Sequence, residues 1–170
     1  MSRTSATIGS ALFFAVAPGI VAGLIPWMLT HWDAEASMPL WPVAAIAGGA
    51  LVVAGAAVLV HAFARFVAEG IGTPAPIAPT AHLVVGGLYR YVRNPMYLAV
   101  LAVIVGQALI LSSAALWVYA LVVAAAFVTF VKAYEEPTLL AKYGPAYDDY
   151  RRRVPGWIPR PPRASATRRR

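Results

Sequence analysis

Two stretches hold most of the residues in this chain that could do chemistry. The first, residues 83–97, runs Leu83-Val84-Val85-Gly86-Gly87-Leu88-Tyr89-Arg90-Tyr91-Val92-Arg93-Asn94-Pro95-Met96-Tyr97. Gly86-Gly87 permits a tight bend and a close backbone approach to a ligand. Three tyrosines supply rings with polar ends, and Arg93 can grip a carboxylate with two parallel bonds. Pro95 suits the first turn of a helix, with Asn94 as its N-cap. The second stretch, residues 132–153, contains Glu135-Glu136, a pair that is costly beside a membrane unless it is paired or solvated. Leu139, Leu140, Tyr143, Tyr147 and Tyr150 follow at helical spacing, interrupted by Gly144-Pro145. Asp148 with Arg152, and Asp149 with Arg153, make i,i+4 pairs on a wet face. Without further information the tyrosines and arginines read equally well as an interfacial aromatic belt with basic anchors. The glutamates read as a solvated pair opening a surface helix.

The elements that must position these residues are apolar. Of 170 residues, 60% are hydrophobic and 12% charged, where a soluble domain carries about a quarter charged. Mean hydropathy is +0.67. Charge is absent between Arg3 and Asp33, between Glu35 and Arg65, and between Arg93 and Lys132. A crossing of the hydrocarbon core takes about 20 apolar residues. The first two gaps predict spans near 8–29 and 43–67. The third, divided at Ser112-Ser113, predicts spans near 96–111 and 114–131. The expectation is an all-α polytopic membrane protein with about four transmembrane helices and an interfacial C-terminal helix, forming one domain over residues 1–163. The first run is too long, and carries Pro18 and Pro26, to read as a cleaved leader.

Basic residues set the expected orientation. Arg90 and Arg93 follow the second span. Arg151, Arg152, Arg153, Arg160, Arg163 and Arg168 to Arg170 follow the fourth, whereas the loop after the first span has Asp33 and Glu35 alone. Both termini are therefore expected in the cytoplasm, with the chain multi-pass in the cell membrane. A third and fourth span forming a hairpin would return both polar stretches to that face, about forty residues apart in sequence and adjacent in space. The net charge of +7 comes largely from the tail. It is expected to contact membrane lipids rather than nucleic acid. No cysteine is present, and three scattered histidines make no metal site. Residues 70–79, rich in glycine and proline, are expected to form a loop below the membrane. Residues 155–162 are expected to end the last helix, and residues 164–170 to form a disordered basic tail.

The two stretches together resemble the isoprenylcysteine carboxyl methyltransferase family and its relatives, the phospholipid N-methyltransferases. The resemblance rests on Leu83-Val84, Gly87-Leu88-Tyr89, Arg93-Asn94-Pro95-Met96-Tyr97, Glu135-Glu136-Pro137-Thr138-Leu139, Gly144-Pro145-Ala146-Tyr147-Asp148-Asp149-Tyr150 and Val154-Pro155, in that order. It covers roughly residues 70–159. It implies a pocket for S-adenosylmethionine made from His82, Leu83, Val84, Tyr89, Asn94, Pro95, Met96, Tyr97 and Glu135, with Arg93 and Glu136 at the reacting centre. Glu135 or Glu136 would pair with the cofactor's ammonium, and Arg93 would hold its carboxylate or orient a substrate anion. The acceptor it implies is a lipid or prenylated small molecule, methylated on a carboxylate oxygen or an amine.

One departure bears on the acceptor. The prenylcysteine enzymes carry an arginine four residues before the first glutamate, where this chain has Val131 followed by Lys132. Outside the resemblance, His61, Arg65 and Glu69 fall on one helix face, at the pocket mouth or merely snorkelling to the interface. Gly48-Gly49 and Gly55 are expected to allow close helix packing. The competing reading is a membrane scaffold, or a relative that kept the fold and lost the cofactor.

Overall fold

The computed structural model describes residues 16–35, 40–70 and 82–161, and among these it is all-helical. Helix α1 spans Val16–Thr30, α2 Trp41–Gly70, α3 Pro95–Leu111, α4 Ala114–Tyr143 and α5 Pro145–Arg153. A 3₁₀ turn, Gly87–Arg90, lies between α2 and α3. The expected segments at 8–15, 71–79 and 164–170 lie outside the described residues, as does the side chain of Glu69.

Among the described residues, two helices are long and apolar enough to cross a bilayer, Trp41–Arg65 within α2 and all of α4. Their apolar windows are only 11% and 22% buried. A soluble core helix would hide such a surface, whereas these present Ile46, Val53 and Leu121 outward. That is the pattern expected where the surrounding solvent is hydrocarbon. Helix α3 has 17 residues, so it is about 25 Å long against about 30 Å of hydrocarbon.

Helices α2 and α3 run antiparallel in close contact because glycine removes the side chains between them. A Cβ on Gly48 would lie 2.5 Å from the Gly106 carbonyl, one on Gly106 2.7 Å from the Gly48 carbonyl, and one on Gly55 2.9 Å from the Ala99 carbonyl. Gly49 meets nothing within 4 Å, so Gly48 is the packing residue of that pair. Gly106→Ala is expected to cost about 1–3 kcal/mol through overpacking. Gly49→Ala should be neutral or slightly stabilising. Thermal unfolding in detergent would measure both.

The hairpin between α3 and α4 turns where the sequence places it. Ser112 takes the left-handed conformation, with φ 52°, and Ser113 is the extended residue before α4.

Prolines shape the helices in a way that composition does not reveal. Helix α1 widens into a π turn at Ile20–Leu24, immediately before the Ile25-Pro26 pair. Ile25 N–H donates to the Ile20 carbonyl, and Pro26 has no N–H for the Ala22 carbonyl four residues back. Side chains from other helices supply donors to the carbonyls inside that turn. Gln107 Nε2 donates to Ala22 at 2.7 Å, and Tyr119 Oη donates to Val21 at 2.8 Å. Helix α4 does the same before Pro137. A π turn spans Val131–Glu135, with Glu136 N–H donating to the Val131 carbonyl. The expected end of the fourth span at residue 131 is therefore a change of winding, and the helix continues to Tyr143.

Candidate functional site

The hairpin brings the beginning of α3 against the π turn of α4, and the two glutamates take different partners there. Successive residues on a helix point about 100° apart. Glu135 Oε2 accepts a hydrogen bond from Tyr97 Oη at 2.9 Å. Glu136 Oε1 pairs with Arg93 Nη1 at 2.8 Å. The same Nη1 donates to Tyr147 Oη at 3.0 Å. Arg151 approaches the other oxygen of Glu136 at 3.9 Å. The Arg93 and Glu136 side chains are 14% and 20% exposed, so this pair is largely withdrawn from solvent.

The two glutamates are held differently. Glu136 has Arg93, whereas the neutral Tyr97 hydroxyl is Glu135's hydrogen-bond partner, and among the described residues no cation lies within salt-bridge distance of Glu135. Arg93 Nε is buried with no hydrogen-bond partner. A buried donor left in this state is uncommon and calls for a ligand or water.

Residues 154–160 form a strap across the segment that leads into α3. Arg93 N–H donates to the Pro155 carbonyl at 2.9 Å, and Arg160 N–H donates to the Tyr91 carbonyl at 3.0 Å. Asn94 stands at the N-cap position of α3 but makes no capping bond. Its Nδ2 donates instead to the Gly156 carbonyl at 3.1 Å. A Cβ on Gly156 would come within 3.2 Å of Arg93 Nη2. Tyr97 is flanked by Phe127, ring centroids 4.7 Å apart, and by Trp157 at 6.3 Å.

The remaining residues expected at the site build its wall. Val84, Tyr89 and Ala62 form a buried cluster with Met96 against it, which fixes the segment to α2. Leu83 packs on Tyr147, Tyr150 and Val154. Pro95 is buried in the first turn of α3. Tyr150 Oη donates to the Tyr89 carbonyl at 2.7 Å. Burial raises the pKa of both Tyr147 and Tyr150, which keeps these phenols neutral. His82 is exposed at the edge of the segment. His61 and Arg65 fold against Gly87, whose φ of +54° and missing side chain leave room for them. Of the surface pairs on α5, Asp148 does meet Arg152 at 2.9 Å. The expected Asp149–Arg153 pair is replaced: the Asp149 carboxylate binds Arg152, and Arg153 Nε reaches the Asp149 carbonyl.

Phe127, Gly156 and Trp157 were not singled out from the sequence. Phe127 sits in an unbroken apolar run with nothing to mark it. Trp157 had a signal, an aromatic residue held in Pro155-Gly156-Trp157-Ile158-Pro159, where a chain with no structural task would have little use for so stiff a segment.

Long apolar helices that leave their side chains exposed, with polar side chains gathered at one end of a hairpin, are the marks of a membrane protein. The sequence model of the phospholipid methyltransferase family matches residues 43–146, more than half of the chain, and the protein belongs to that family. It is accordingly a membrane methyltransferase of a family that acts on lipids. No curated protein and no solved structure matches the chain. The matched region runs from α2 to the start of α5 and stops short of the strap.

Proposed function

We propose that the protein crosses the membrane four times with both termini in the cytoplasm, and that it transfers a methyl group from S-adenosylmethionine to a lipid acceptor. The observation that carries this reading is the adjacency of the Tyr97–Glu135 and Arg93–Glu136 pairs, with one carboxylate outside any salt bridge and one buried guanidinium nitrogen lacking an acceptor. The cofactor's amino-acid end offers an ammonium for Glu135 and a carboxylate for Arg93 Nε. Leu83, Val84, Tyr89, Asn94, Pro95 and Met96 would shape the wall around it, with His82 at the exposed edge. When bound, the cofactor supplies an activated methyl group on a positively charged sulfur.

The protein's own task is then alignment and exclusion of water. Holding two reactants in line can lower a barrier by about 7–11 kcal/mol. No acid–base triad is required for that. The Arg93–Glu136 pair would orient the acceptor's polar end while its apolar part enters between helices. Val131 is buried at the position where the prenylcysteine enzymes carry an arginine, and Lys132 is exposed. This favours an amine over a carboxylate as acceptor.

The test is equilibrium binding of S-adenosylmethionine to detergent-purified protein, followed by transfer of a radiolabelled methyl group into a bacterial lipid extract. Saturable binding and a labelled lipid product are the expected result. A folded, monodisperse sample that binds nothing would leave a scaffold or a relative without cofactor.

A further inference from the structure

The strap raises a question that the paired glutamates do not answer: why an indole is held beside Tyr97 at all. Its backbone is fixed by three hydrogen bonds to Tyr91, Arg93 and Asn94. Gly156 lets it lie directly on the Arg93 guanidinium, since a side chain there would press on Arg93 Nη2 at 3.2 Å. The strap therefore has a fixed path, and Trp157 is placed by that path rather than by burial of its own ring. Trp157 is only half-buried.

Phe127, Tyr97 and Trp157 make a row of rings that begins inside the hairpin and ends under the strap. The Glu135 carboxylate stands on the hydroxyl of the middle ring. Aromatic faces and a carboxylate share one electrostatic preference, which is for a cation. Among the described residues no lysine or arginine covers the Trp157 ring, whereas Lys142 does cover Tyr143.

We infer that Trp157 is a specificity residue of the site, whose ring face recognises the positive charge on the sulfur of the methyl donor. The inference rests on the cofactor reading above and adds a residue outside the family-matched region. Its consequence is discrimination. Transfer of the methyl group turns a sulfonium into a neutral thioether, S-adenosylhomocysteine. The ammonium and carboxylate of that molecule are unchanged, so Glu135 and Arg93 do not tell product from donor. A cation-recognising ring does. Trp157 would thus tighten the hold on the donor and loosen the hold on the product.

The experiment compares affinities for S-adenosylmethionine and S-adenosylhomocysteine in the full-length protein in detergent, for wild type, Trp157→Phe and Trp157→Leu. The expected result is that Trp157→Leu weakens donor binding by about tenfold, the range of a partly desolvated cation–π contact, and changes product binding by less than about twofold. Trp157→Phe should fall between. Equal weakening of both ligands, or no change in either, would overturn the inference and make the strap a structural brace. Wild-type protein that binds neither ligand would instead overturn the cofactor reading on which it stands. Should Trp157→Leu not fold, biosynthetic replacement of tryptophan by 5-fluorotryptophan keeps the ring's shape while drawing electron density from its face. The donor-to-product affinity ratio should then fall in the wild-type sequence and stay constant in the Trp157→Phe background. A ratio that ignores fluorination would refute the proposal.

Discussion

Glu135→Gln is expected to weaken S-adenosylmethionine binding by about a hundredfold, within the 2–5 kcal/mol typical for removing one partner of a desolvated charge pair. Its melting temperature should barely move. Glutamine keeps an oxygen for the Tyr97 hydroxyl, so the contact that ties α3 to α4 survives while the charge is lost. S-Adenosylhomocysteine should weaken by a similar factor, because its ammonium is the same. Isothermal titration with both ligands gives the comparison. Unchanged binding of both would show that Glu135 is only a hydrogen-bond anchor for Tyr97, and the cofactor's ammonium would have to be placed elsewhere.

Arg93→Met should have the largest effect on the fold. It leaves Glu136 in a largely enclosed place with only Arg151, 3.9 Å away, and it removes the donor to Tyr147. Breaking a buried pair from one side costs about 3–5 kcal/mol, and the partial exposure of both side chains places this case near the lower bound. The double variant Arg93→Met with Glu136→Leu should recover most of that loss, since an apolar pair of similar size often replaces a buried ion pair without penalty. Methyl transfer should be lost in both variants. Thermal unfolding read beside the transfer assay separates the two effects. Recovery of activity in the double variant would mean that the pair braces the fold and has no part in the reaction.

Much of this architecture is legible in the sequence because hydrocarbon is an unforgiving solvent. Charge-free runs can only be spans or buried helices, and the Ser112-Ser113 break marks the hairpin to the residue. The convergence of Arg93 and Tyr97 with the two glutamates follows from that hairpin alone. What did not show was winding. Pro26 and Pro137 both lie inside helices, which absorb them by widening one turn upstream. Whether a proline stops a helix or widens it depends on what the rest of the fold offers the carbonyls it strands. For Pro26 the answer is Gln107 and Tyr119, more than eighty residues away in sequence. Asn94 differs from its local expectation too. Its position makes it a helix cap, whereas the fold uses its Nδ2 as a donor to a strap carbonyl and its oxygen caps nothing. Side-chain preferences read over a few residues do not anticipate a partner sixty residues on.

The strap also separates two kinds of integrity. Residues 154–160 follow the last helix, yet the carbonyls of Pro155 and Gly156 are the partners of Arg93 N–H and Asn94 Nδ2. A chain cut after residue 153 would keep the sequence of every helix described and lose the brace on the segment that enters α3. Helix content and the order of this corner can therefore be lost independently.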